Sequence, residues 1–190
     1  MINPAFKIDK DGQGASGHRK FHTRRINHPK FKNINSMKAI ELLKDLESGE
    51  FIFRPSSKGP DNITLTWKFF QNNIVHIDIQ EFEKAPGATI GSKLQISREE
   101  LFENLQEIVE RYIAPCNKFV REAGGHMKFV SSNSVQEFEE LLTTEKNQDP
   151  ARIPYRFTVL SEYPQHIVLG YVPKMNVVRE YIKVKIFSII

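Results

Sequence analysis

Between Phe51 and Gln80 the chain carries three runs with the residue choice of β-strands: Phe51 to Arg54, Ile63 to Phe70 and Ile74 to Gln80. The last two are separated by Gln71-Asn72-Asn73, a polar turn of hairpin length, which predicts an antiparallel meander. A charge stands inside the first run. In Phe51-Ile52-Phe53-Arg54-Pro55-Ser56-Ser57-Lys58-Gly59, strand alternation puts Phe51 and Phe53 on one face and Ile52 and Arg54 on the other, and Pro55 ends the strand. A guanidinium buried there needs a partner. Ser56, Ser57, Lys58 and Gly59 add hydroxyls, backbone N–H groups and a second cation within one turn, a donor set suited to phosphate. An internal carboxylate is the competing partner, and the run alone leaves both open.

In the third run Val75, Ile77 and Ile79 alternate with His76 and Asp78, so the polar pair shares a face, expected to be the one that carries Arg54. Upstream, Asn35 or Ser36 is read as the cap of a helix from Met37 to Leu46, with Met37, Ile40, Leu43 and Leu46 as its apolar stripe and Ser48-Gly49 as its stop. Downstream, a loop with Pro86-Gly87 and Gly91 leads to a strand from Lys93 to Ile96. Ser97-Arg98-Glu99-Glu100 then reads as a capping box opening a helix to Tyr112. Pro115 is expected to interrupt that helix, with a further helical patch from Phe119 to Glu122 ended by Gly124-Gly125.

From there the layout begins again. His126 to Val130 reads as a short strand. Ser134 caps an amphipathic helix with Val135, Phe138, Leu141 and Leu142 on one side, and strands follow at Ile153 to Leu160, His166 to Val172 and Glu180 to Ile186. The pattern predicts an α+β chain of two tandem units, each a central antiparallel sheet flanked by helices, with little residue similarity between them. The expected division is a flexible basic lead over 1–20, a first domain over 21–123 and a second, divergent one over 124–190.

Charge and cysteine usage narrow the function classes. In the first 38 residues Lys7, Lys10, Arg19, Lys20, Arg24, Arg25, Lys30, Lys32 and Lys38 face only Asp9 and Asp11, which favours acidic partners: phosphopeptide, nucleic acid or an acidic protein face. The lone Cys116 leaves neither a disulfide framework nor a zinc cluster, and it has no adjacent base in sequence. No Gly-rich nucleotide loop or paired-carboxylate motif stands out, so no catalysis and no cofactor are expected. No apolar run approaches a membrane span, and the chain is expected to be soluble and intracellular.

Phe51-Ile52-Phe53-Arg54-Pro55-Ser56-Ser57 resembles the phosphate-binding strand of Src homology 2 domains, with His76 in the position of their histidine on a later strand. More narrowly, the chain resembles the tandem Src homology 2 regions of the suppressor-of-Ty-6 family of transcription elongation factors. The matching stretches are His28 to Asn35, Phe51 to Gly59, Leu65 to Lys68, His76 to Ile79, Glu107 to Tyr112, Ile153 to Tyr155 and Leu169 to Pro173, in order.

The resemblance implies two closely packed domains that read phosphoserine or phosphothreonine in the largest subunit of RNA polymerase II, in its carboxy-terminal repeats or the linker before them. It implies a nucleus-located elongation factor and histone chaperone that contacts histones and nucleosomes, of which this chain is the polymerase-tethering module, with no membrane role. The phosphate site it implies comprises Arg54, Ser56, Ser57 and Lys58, with Thr66 and His76 as walls. A second surface is expected from Lys118, Arg121 and Lys128. A nucleic-acid-binding accessory domain built on the basic amino terminus is the alternative.

Three departures from the family pattern stand out. Ser36 occupies the place of a second arginine on the first helix. Thr158 falls where the second domain would need its own phosphate-binding arginine. The family's second domain continues with another strand and a last helix, whereas this chain ends at Ile190, so the second domain is expected to be truncated.

Overall fold

The structure is a computed structural model that describes residues 23–98, 100–132, 134–160, 166–174 and 180–185, the last of these through their backbone pairing. The expected flexible lead, with Lys7, Lys10, Arg19 and Lys20, lies outside the described residues, as does Ile186 of the last expected strand.

The meander forms as its alternation demands. Strands β1 (Phe51–Pro55), β2 (Asn62–Phe70) and β3 (Asn73–Phe82) pair antiparallel, and β4 (Lys93–Ser97) and β5 (Glu100–Phe102) extend them into a five-stranded sheet in sequence order. One face carries Phe51, Phe53, Ile63, Leu65, Trp67, Val75, Ile77 and Ile79, all buried in one core with Ile108, Tyr112, Ile113 and Val120. Trp67 is fully buried and its indole N–H donates to Asn117 Oδ1 at 3.2 Å, which satisfies the one polar atom that so large a ring brings inside.

Helix α1 (Ser36–Leu43) covers the opposite face. Asn35 caps it, its side chain accepting the Lys38 N–H at 2.9 Å. The expected stripe is corrected here: Met37, Ile40 and Leu46 are exposed, at 78%, 39% and 47%, while Ala39 and Leu43 face Ile52. The helix lies so close to the sheet that the small Ala39 sets its contact face. Lys68, buried beneath the helix end, donates to the carbonyls of Lys44 and Leu46 at 2.6 and 2.7 Å and closes the helix before Leu46.

Two further expectations fail for local reasons. Ser97 to Glu100 does not cap a helix but closes the β4–β5 hairpin, with Ser97 paired to Glu100. The helix starts at Leu105, where Asn104 accepts the Glu107 N–H at 2.9 Å and the Glu107 carboxylate accepts the Glu103 N–H at 2.6 Å. Nor does Pro115 interrupt the helical path. Helix α2 (Leu105–Ile108) runs through a π-helical turn, Val109–Ile113, directly into α3 (Ala114–Gly124), and the Ala114 N–H bonds to the Val109 carbonyl. The wider turn accommodates a proline ring and its missing donor without ending the helix.

In the second half Ser134 caps α4 (Val135–Gln148), accepting the Glu137 N–H at 3.1 Å. Strands β6 (Tyr155–Thr158), β7 (His166–Tyr171) and β8 (Glu180–Lys185) form a three-stranded antiparallel sheet in that order. His126 to Val130 gives a single parallel bridge, Phe129 to Phe157, rather than a strand.

That bridge exposes a duplication stronger than the residue pattern alone predicts. Phe31 pairs with Phe53 in the same way. In each half a Lys-x-x backbone brackets the partner phenylalanine: Phe53 N–H to Lys30 O and Lys32 N–H to Phe53 O, both 2.9 Å, against Phe157 N–H to Lys128 O at 3.2 Å and Val130 N–H to Phe157 O at 3.0 Å. His28 Nδ1 accepts the Lys30 N–H at 3.2 Å and His126 Nδ1 accepts the Lys128 N–H at 3.1 Å. The two histidine rings contact Phe53 and Phe157. His28-Pro29-Lys30-Phe31 and His126-Met127-Lys128-Phe129 therefore hold equivalent places, and the shared His-x-Lys-Phe pattern was available in the sequence.

The halves share apolar packing. Phe70, Phe129 and Phe157 stack edge to face in series at 5.2 and 5.7 Å, and Val159 and Ile167 join the core of the first sheet. The smaller core holds Phe138, Leu142, Leu160, Val168 and Val172.

The register also shows how the halves diverge. With Phe53 equivalent to Phe157, Thr66 corresponds to Gly170, and counted from the helix caps Asn35 and Ser134, Ala39 corresponds to Phe138. A Cβ on Gly170 would lie 2.6 Å from Phe138 Cε1 and 2.8 Å from Leu142 Cδ1, so the phenylalanine ring occupies the space that Thr66 fills in the first half. Gly170→Ala should consequently overpack the second core and cost about 1–3 kcal/mol, read by urea unfolding, and adding Phe138→Leu should restore part of the loss.

Candidate functional site

Cross-strand pairing assembles the site on the face beneath α1. Arg54 lies opposite Thr64 and Thr64 opposite Asp78, while Ile52 lies opposite Thr66 and Thr66 opposite His76. The expectation that His76 and Asp78 share the face of Arg54 therefore holds.

Arg54 is buried, with 7% of its surface exposed. Its Nε donates to Thr66 Oγ1 at 2.9 Å and its Nη1 to the carbonyl of Pro55 at 3.2 Å. Among the described residues no carboxylate forms an ion pair with it, so the competing reading of an internal carboxylate partner is not what the structure shows. Burial pulls the guanidinium pKa down, and the charge of Asp78 opposes that shift without direct contact.

Thr66, fully buried, lies between two side chains. Its hydroxyl accepts from Arg54 Nε and lies 3.1 Å from His76 Nδ1. The hydroxyl has one proton and two lone pairs, so while accepting from Arg54 it either donates to Nδ1 or accepts from it, according to the tautomer of the ring. Desolvation lowers the His76 pKa, the neighbouring Arg54 lowers it further and Asp78 pulls against both, although much of the ring faces solvent. Burial and Arg54 thus favour the neutral ring at the edge of the site.

The loop after β1 supplies the rest. Ser56 Oγ accepts the Lys58 N–H at 3.1 Å, a local turn that draws the loop back toward the sheet, and Gly59 takes φ +128°, a conformation that a side chain would oppose. Ser57 stands exposed on this turn. Lys58 Nζ lies 2.6 Å from Asp78 Oδ2, and Asp78 Oδ1 accepts from Thr64 Oγ1 at 3.2 Å and from Ser56 Oγ at 3.4 Å. The structure thus gathers Arg54, Ser56, Ser57, Lys58, Thr66 and His76 around one face and its adjoining loop.

It also adds Thr64 and Asp78, which the sequence reading left out of the site. The alternation that placed Asp78 beside His76 was signal enough. The Ser36 position carries no charge; it opens α1, half-buried.

Among the described residues the second half has no equivalent site. Thr158 occupies the register position of Arg54, as expected, and is fully buried with its hydroxyl unpartnered. Phe138 fills the space above Gly170. Of the expected second surface, Lys118 and Arg121 stand exposed one turn apart on α3, whereas Lys128 is drawn over the ring of Tyr155 at 4.7 Å and is not gathered with them by any described contact.

The basic amino-terminal segment is partly spoken for. Arg24 forms a buried ion pair with Glu81 and donates to the Thr89 carbonyl at 2.8 Å; Lys30 pairs with Glu50 at 2.7 Å and Lys38 with Glu41 at 2.9 Å. These cations bind their own chain, which weakens the nucleic-acid reading. Cys116 is buried and its thiol pKa is pushed well up by desolvation, so it holds no thiolate for chemistry. No group of residues able to hold a metal ion is found among the described residues, and no described helix is long and apolar enough to cross a membrane.

Comparison with known proteins places this geometry. The family model of the SH2 domain matches residues 6–188. Transcription elongation factor SPT6 of Drosophila melanogaster is 36% identical over 182 residues, covering 92% of the chain, and the SPT6 homolog of Arabidopsis thaliana is 36% identical over 167 residues, covering 85%. In both cases the match spans 10% of the relative's own length.

Among solved structures, a tandem SH2 domain of transcription elongation factor Spt6 that binds the phosphorylated RNA polymerase II carboxy-terminal repeat domain superposes with a TM-score of 0.74. It has 26% identity and covers 86% of this chain and 83% of its own. The tandem SH2 domains of the Antonospora locustae factor Spt6 share the fold at a TM-score of 0.64 and 23% identity, covering 92% and 88%. The chain belongs to the SH2 domain family, in the tandem form found in the SPT6 transcription elongation factors.

Proposed function

We propose that the chain is a phosphopeptide-binding module that tethers a transcription elongation factor to phosphorylated RNA polymerase II, through the carboxy-terminal repeats or the linker that precedes them. The observation that carries the proposal is Arg54: a buried guanidinium, bonded to a hydroxyl and a carbonyl and left without a carboxylate among the described residues. A cation kept in that condition is stabilised by an arriving anion. Ser56, Ser57 and Lys58 close over the anion from the loop, and Thr66 and His76 form the wall.

The ligand is a phosphorylated serine or threonine, since Ser36 supplies no second cation from α1. The first domain, 21–123, holds the pocket. The second, 124–190, packs against it and among its described residues carries no phosphate site of the same kind, because Thr158 and Phe138 replace its floor and its opening. The whole protein then works in the nucleus as an elongation factor and histone chaperone, with this chain as a binding part and no catalytic role.

Arg54→Ala should abolish most of the affinity for a phosphoserine or phosphothreonine peptide from the polymerase linker. The expected loss is at least about tenfold, because charged hydrogen bonds contribute about 1.5–3 kcal/mol each. Calorimetric titration checks this, and unchanged binding refutes the assignment.

The site also predicts a pH dependence of stability. In the unfolded chain His76 takes up a proton near its ordinary value of 6.5, while burial and Arg54 hold the folded ring below it. Stability is therefore complete above that pH and declines as pH falls through it toward the folded value. The half-buried His28 adds a loss of the same sign. Thermal unfolding of the ligand-free protein between pH 8 and 5 should show the decline, and His76→Gln should make it shallower.

A further inference from the structure

Asp78 is an acid in a site assembled to receive an anion. It stands on β3 two residues beyond His76, opposite Thr64 and in the same cross-strand row as Arg54, with 38% of its side chain exposed. Its carboxylate gathers three groups of the site. Oδ2 holds Lys58 Nζ at 2.6 Å, and Oδ1 accepts from Thr64 and Ser56.

Ser56 and Lys58 are the loop residues that face a ligand on Arg54, so Asp78 engages the donors that the ligand would use. It does not engage Arg54 itself, which it influences only through charge. The arrangement separates two cations: one buried and left for the ligand, one exposed and already paired.

We infer that Asp78 is an affinity-setting residue that acts as an internal competitor, holding Lys58 and Ser56 in the empty site and handing them to a phosphate when one binds Arg54. The inference rests on the phosphate reading of the pocket and deepens it. Lys58, 60% exposed, is held by a solvent-screened pair that gives way readily to a doubly charged ligand with three acceptor oxygens. The hand-over leaves Asp78 bonded to the Thr64 hydroxyl but facing a like charge, which opposes the ligand.

The same residue thus does two things. In the absence of ligand it draws the loop down onto the sheet, so that the donors are near their working positions. In the complex it subtracts from affinity and keeps binding readily reversible.

The test is a double-mutant cycle on Lys58 and Asp78, titrating a singly phosphorylated linker peptide into the full chain, with Asp78→Asn, Lys58→Ala, the double variant and Arg54→Ala. Asn at 78 keeps an acceptor for Thr64 and Ser56, and thermal unfolding confirms that each variant is folded. Asp78→Asn should tighten binding by about fivefold, the scale of one exposed charge interaction.

The sign of the coupling decides the mechanism. If Lys58 is handed over, Lys58→Ala costs more affinity in the Asp78→Asn background, where the Asp78 carboxylate no longer competes for the lysine, than in the natural chain. If Lys58 instead stays on Asp78 and merely neutralises it, Lys58→Ala costs more in the natural chain, and the inference is overturned. Unchanged or weaker binding by Asp78→Asn overturns it as well. Loss of binding in Arg54→Ala shows in every case that the phosphate pocket stands, so failure of the competitor is distinguishable from failure of the pocket.

Discussion

The antiparallel register of β1, β2 and β3 is the constraint on which the rest of the molecule depends. It sends Phe51, Phe53, Leu65, Trp67, Val75 and Ile77 into one core, and it lines up Arg54, Thr64, Thr66, His76 and Asp78 on the other face. A slip of one residue would bury the polar row against Tyr112 and Ile108 and send Trp67 to the face beneath α1. The core therefore fixes the site: the same apolar burial that holds the sheet together holds Arg54 where it reaches Thr66 and, among the described residues, pairs with no carboxylate.

Around that register the chain uses one scheme twice and spends it differently. In both halves a His-x-Lys-Phe segment lies along the strand that follows the first helix, and a capped helix crosses the face beyond it. In the first half the helix presents Ala39, and Thr66 below it stays available to orient Arg54 and His76. In the second the corresponding pair is Phe138 and Gly170, a large side chain over a bare backbone, and the face closes into ordinary core. The exchange of small for large across one helix–sheet contact separates the half that carries Arg54 from the half whose face is filled, and the aromatic series Phe70, Phe129 and Phe157 joins the two.

Much of this was legible because strands and hairpins are written with a period of two and a polar turn. The meander and the shared face of His76 and Asp78 come from alternation, whereas the equivalence of Thr158 with Arg54 comes from the family resemblance. What misled were signals with two readings. Ser97 to Glu100 has the spacing of a capping box, yet Asn104 and Glu107 offer the same bonds beside the apolar residues that the helix must bury. Pro115 is a helix breaker by local rules, and only the π turn before it, stabilised by core contacts of Tyr112 and Ile113, lets the helix continue. The apolar stripe of α1 was misassigned because Met37 and Ile40 look more hydrophobic than Ala39, whereas the close approach of the helix selects the small residue.

By itself the sequence determined that Arg54 would be a charge on a mostly apolar strand with a donor-rich loop after it, since residue order and the pleat fix which side chains share a face. It left the partner of that charge open, because a carboxylate and a phosphate make the same demand on a guanidinium. Only the tertiary structure decided: Asp78 comes close enough to shape the potential at Arg54 but binds Lys58, Ser56 and Thr64 instead. Which cation the internal acid takes depends on the relative height of a loop and two strands. That geometry is set by packing across the whole sheet and is not encoded in any local run of residues.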